Sequence, residues 1–105
     1  MPKRMSKARK KLKEQKDWWK AQVRKRAKNK CQKCGKEGGK LDPHHLVYNK
    51  EFKWTEPKIG ILLCSGCHKF GNESAHKGGF AFYDWFIRRF PKRVIEIRKM
   101  LNELV

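Results

Sequence analysis

A small α+β fold is predicted for this chain, and three observations predict it. Two Cys-x-x-Cys pairs stand about thirty residues apart, an apolar run leads into the second pair, and apolar residues recur at helical spacing near both ends. Cys31 with Cys34, and Cys64 with Cys67, make a strong zinc signal. A two-residue gap lets both sulfurs of a pair meet one ion, and four thiolates complete a tetrahedral structural site. A chain of 105 residues buries a modest core, and domains of this size often need such a staple. The expected layout is one domain over 1–105, comprising a basic helical arm at 1–30, a zinc-stapled core at 31–78 and a helical segment at 79–105.

Charge is the next constraint. There are 28 Lys+Arg against 10 Asp+Glu, a formal net charge of +18. Half of the basic residues fall in residues 1–30, opposed there only by Glu14 and Asp17. So uneven a balance favours a polyanionic partner, because neutralising phosphates releases their condensed counterions. Leu12, Trp19, Val23 and Ala27 give the block an apolar stripe at helical spacing. Arg9, Lys10, Lys13, Lys20, Arg24 and Lys28 are the candidate phosphate contacts. No apolar run approaches the length of a membrane span, and Met1-Pro2-Lys3-Arg4 leads into charge with no hydrophobic signal region. Together these imply a cytoplasmic protein without a membrane partner. In a reducing compartment, paired cysteines are metal ligands more often than disulfides.

Beyond the first knuckle, Lys40 to Val47 reads as a short strand, with Pro43 keeping Asp42 out of helical geometry. Tyr48 to Lys58 reads as a loop with Phe52 and Trp54 as anchors. Ile59 to Leu63 is the second strand, and a helix is expected to begin at His68 and run to about Ser74 or His76. Gly78-Gly79 breaks it. Phe80, Phe82, Tyr83, Trp85, Phe86 and Phe90 are expected to pack in the core, as a small fold needs its aromatics inside. Pro91 starts a last helix whose face is Val94, Ile97, Leu101 and Leu104.

The four cysteines leave the histidines over. His44 and His45 lie a short tether from Cys34, and His68 follows Cys67 directly, so these three imidazoles are expected near one another. Imidazoles can hold a divalent ion while leaving positions for water and phosphate, and a further one can accept a proton near neutrality. Adjacent strand residues point to opposite faces, so His44 and His45 share a site only if the chain bends there.

The constellation Cys31-x-x-Cys34-Gly35, His44-His45-Leu46 and Leu63-Cys64-x-x-Cys67-His68 resembles the HNH endonuclease family, with its ββα-metal fold. Ala75-His76-Lys77, Phe82-x-x-Trp85-Phe86-Ile87 and Phe90-Pro91 are similar to small phage-type members. The resemblance covers roughly residues 31–91. It implies hydrolysis of DNA phosphodiester bonds by a nicking or double-strand-cleaving enzyme. His44 and His68 would hold a catalytic Mg²⁺, Mn²⁺, Ni²⁺ or Zn²⁺, and His45 would activate water. His76 would add a metal or phosphate contact. A phage setting implies the host-cell cytoplasm and a packaging or recombination partner. Oligomeric state is not set by the sequence.

The chain departs from the family pattern at Ile59, where a central asparagine normally stands five residues before the third cysteine. Either Asn49 or another polar group takes that role, or the site is weakened. The alternative function is a zinc-stapled nucleic-acid-binding module without catalysis.

Overall fold

Ser6 opens the first helix by accepting the Arg9 backbone N–H at 3.2 Å, and α1 runs Lys7–Arg26. The computed structural model describes residues 6–47, 54–71 and 74–103. Expectations for Tyr48, Asn49, Phe52 and Leu104 lie outside these residues.

Two strands form an antiparallel sheet, β1 (Leu41–His45) and β2 (Gly60–Cys64), with Leu41 opposite Cys64, His44 opposite Ile61 and His45 opposite Gly60. The architecture is thus a small α+β fold. The C-terminal half of α1 lies on the His45–Gly60 face. A Cβ on Gly60 would meet Val23 Cγ2 at 2.5 Å and Trp19 Cζ2 at 2.6 Å, so only glycine admits the helix there. Trp19, Val23 and Ala27 are buried as predicted. Leu12 departs from the expected stripe and is 40% exposed, whereas Trp19 and Val23, further along the helix, pack against Gly60 of β2.

A 3₁₀ turn at Pro57–Ile59 leads into β2, all of whose residues are buried. Helices α2 (Phe80–Arg89) and α3 (Pro91–Glu103) close the other side, with Pro91 at the first helical position where its missing N–H costs nothing. Arg93 ties α3 to the turn, donating from Nη2 to the Lys58 carbonyl at 2.9 Å and also to the Gly60 carbonyl. Burial pulls its pKa down to about 10, still well above neutrality.

Two expectations are corrected. The helix expected from His68 to Ser74 or His76 is a five-residue π turn, Gly66–Phe70. Gly71 ends it: its N–H closes on the Gly66 carbonyl at 2.8 Å, and the backbone there is extended. The aromatic segment is not uniformly internal either. Phe82 and Phe86 are buried, but Phe80 is 95% exposed.

Candidate metal centres

The first knuckle is a turn held by Gly35 N–H to the Cys31 carbonyl and Cys31 N–H to the Lys36 carbonyl, with Gly35 at φ +80. It docks on β2 through Gln32. The Gln32 N–H donates to the Leu62 carbonyl at 2.8 Å, and Leu62 N–H donates to Gln32 Oε1 at 2.9 Å. That two-way clamp sets Cys31 and Cys34 beside Cys64 at the end of β2 and Cys67 in the π turn.

The four sulfurs lie within 4.8 Å of one another, with Cys34 Sγ and Cys64 Sγ 3.6 Å apart. Sulfurs about 2.3 Å from a shared zinc stand roughly 3.8 Å apart in a tetrahedron, whereas a disulfide would need about 2.05 Å. The arrangement therefore fits an ion. Burial pushes the Cys31 thiol up, but backbone N–H groups of Cys34, Cys64 and Lys33 outweigh it, and its pKa falls to about 7. Burial and the neighbouring sulfurs push Cys67 up.

A second cluster joins His44, His68 and His76, whose ligand nitrogens also lie within 4.8 Å of one another. The ring centroids stand 5.1 Å apart for His44–His68 and for His44–His76, and 4.5 Å for His68–His76. His44 comes from the face of β1 turned away from α1, with the Phe82 ring edge-on at 6.1 Å. His68 rides on the π turn. His76 is held there by two backbone bonds to the turn, Ala75 N–H donating to the Cys67 carbonyl at 2.9 Å and His76 N–H to the His68 carbonyl at 3.0 Å.

Asp42, two residues before His44 and on the same strand face, completes the cluster. Its Oδ2 lies 3.3 Å from His68 Nδ1. With Nδ1–H donating to this carboxylate oxygen, the His68 Nε2 lone pair faces His76 Nε2 at 2.9 Å. Burial, reinforced by the neighbouring histidines, lowers the His44 pKa to about 4, and burial also lowers His68 against the opposing pull of Asp42. At pH 7 both rings are neutral and able to bind a metal. Among the described residues the group holds three imidazoles and no fourth ligand, which matches an open site rather than a closed structural one.

His45 does not join them. The expected trio of His44, His45 and His68 is replaced by His44, His68 and His76, because β1 keeps its regular pleat through both histidines. The His45 ring stacks on Trp19, with centroids 4.0 Å apart and planes 7° from parallel, and meets Trp54 edge-on at 4.7 Å. Ile59, at the asparagine position, is fully buried. Asp42 and Gln32 were not anticipated. Strand periodicity, which pairs Asp42 with His44, is the signal that could have found Asp42; nothing in the sequence marks Gln32.

Arg9, Lys13, Lys20 and Arg24 follow one another on α1 at steps of four, seven and four, a single strip beside the buried face. Arg9, Lys10, Lys13 and Arg24 are exposed and Lys20 is half-buried; Lys13 bridges to Asp17 at 2.8 Å. Lys28 lies just past the helix, exposed, at φ +55. Among the described residues no helix is long and apolar enough to cross a membrane. No family model, curated protein or solved structure matches this chain.

Proposed function

We propose that this chain is a metal-dependent endonuclease of the HNH type, hydrolysing DNA phosphodiester bonds from a ββα-metal core. The observation that carries the reading is the meeting of His44, His68 and His76 directly beside the cysteine knuckle, in a protein of net charge +18.

Each part has a defined task. The cysteine knuckle fixes His68 relative to β1. Asp42 holds the His68 ring in one orientation and tautomer. The α1 cations hold the polyanion. A divalent ion bound by the three imidazoles would supply Lewis-acid stabilisation of the charge that develops on the phosphate and leaving oxygen. The base role of His45 rests on the resemblance, and its placement sets a condition: the ring must swing off Trp19 to take a proton at the His44 side of the strand.

A second reading, a zinc-stapled DNA-binding module without catalysis, is favoured by two observations. His45 is stacked away from the cluster, and Ile59 is buried where the family carries an asparagine. Supercoiled plasmid separates the two readings. Relaxation or linearisation with Mg²⁺, Mn²⁺, Ni²⁺ or Zn²⁺, abolished by His44→Ala or His68→Ala, supports the enzyme. Plasmid retarded on a gel yet never cut supports the module. His45→Ala tests the base: lost cleavage with retained binding assigns it, and unchanged cleavage removes it.

A further inference from the structure

Gly78 and Gly79 end the segment that carries His76, and the residue they release into α2 is Phe80. Its ring is 95% exposed, against 41% for Tyr83 and 47% for Ile87, which follow at helical spacing on the same face. The stripe is fixed in place. Tyr83 donates its hydroxyl to the Leu46 carbonyl at 3.3 Å, tying α2 to the end of β1. Phe82, between Phe80 and Tyr83, turns inward and meets the His44 ring at 6.1 Å. An apolar ring is thus presented to solvent from the side of α2 opposite Phe82.

We propose that Phe80, flanked by Tyr83, is a stacking platform for an unpaired DNA base, on the outer face of the helix whose inner face carries Phe82 against His44. This inference rests on reading the chain as a DNA-binding protein, and it adds that the substrate is DNA with locally unstacked bases. Charge decides the occupant. Lys77, three residues before Phe80, is exposed, and the chain carries 28 basic residues against 10 acidic ones. A protein partner would need an apolar surface set in a matching acidic field. A DNA strand supplies both features at once, since each base hangs from a phosphate. A flat exposed ring gains most from a base that has lost its own stacking neighbour, and aromatic–base stacking tolerates any sequence.

The zinc-loaded full chain is titrated by fluorescence anisotropy against two labelled probes. One is a short DNA duplex; the other is the same duplex with an internal single-stranded gap, with strand integrity checked on a denaturing gel. Wild type should bind the gapped probe about tenfold more tightly. Phe80→Ala should remove that preference and leave the intact-duplex affinity unchanged, while Phe80→Trp should keep it. So exposed a side chain can be replaced without disturbing the core. If Phe80→Ala weakens both probes equally, or neither, the platform is overturned. If wild type binds neither probe, the DNA-binding reading falls with it. Binding and cutting that ignore the gap overturn the platform alone. Should wild type sediment as a dimer that Phe80→Ala dissolves, the stripe is a protein contact and the proposal fails.

Discussion

The Nε2 atoms of His68 and His76 lie 2.9 Å apart although eight residues separate them in the chain. A regular helix from His68 to His76 would set them about 12 Å apart along its axis. The π turn ends at Phe70, and the Ala75 and His76 N–H bonds to the Cys67 and His68 carbonyls hold the later segment against it, which makes His76 a partner of His68. The proposed three-nitrogen site predicts the outcome of its loss. His76→Ala should lower bound metal by one equivalent and retain the ion held by the cysteines. Metal analysis after gel filtration checks this, and an unchanged metal content would place His76 outside the site.

Asp42 acts on the cluster through His68. Replacing it by Asn keeps the shape but removes the charge that fixes the Nδ1–H tautomer. Loss of such an outer carboxylate typically costs roughly 10–100-fold in metal affinity. Asp42→Asn should show a drop of that order in a competition titration for the second ion, with the cysteine-bound ion unaffected. Equal affinities would mean the 3.3 Å contact does not orient the ring.

Burial holds His44 neutral down to about pH 4, whereas the unfolded chain takes up that proton near the ordinary value of about 6.5. Between those limits the unfolded state binds more protons. The stabilising contribution is therefore full above about pH 6.5 and is lost as pH falls towards 4. Denaturant melts should show wild type losing stability more steeply than His44→Gln across this window. Parallel profiles would put the titration elsewhere.

Gly60 tests the packing of α1. Its missing Cβ is the space occupied by Trp19 and Val23, and forcing a methyl group into a packed contact typically costs about 1–3 kcal/mol. Gly60→Ala should lower the melting temperature with zinc content intact. An unchanged melting temperature would mean α1 can move off the sheet freely.

Much of this arrangement could be read before any coordinates. The cysteine spacing marks the knuckle, and Trp19, Val23 and Ala27 mark the buried side of α1, since metal geometry and helical period are local rules. Partner choice among the histidines was not local. Strand pleat alone predicts that His44 and His45 diverge; His76 is marked only by the family resemblance, and its contact with His68 depends on where Gly71 ends the turn. Phe80 shows the same limit from the other side. Its composition suggests core, and only the placement of Gly79 at φ +46, ahead of the helix, accompanies its outward presentation.

The basic strip on α1 is not a detachable arm, because the same helix places Trp19 under His45. Deleting residues 1–20 would therefore remove a core indole along with the charges. Charge replacement is the cleaner test. Arg9, Lys10, Lys13 and Arg24 are exposed, so changing them to Gln leaves the packed face alone. Each one that contacts phosphate should flatten the dependence of log affinity on log salt by roughly 0.9. Binding should weaken at low salt, with metal content and melting temperature unchanged. A salt slope equal to wild type would assign phosphate contact to another surface, and the exposed cations Lys69, Lys77 and Arg89 would be next to replace.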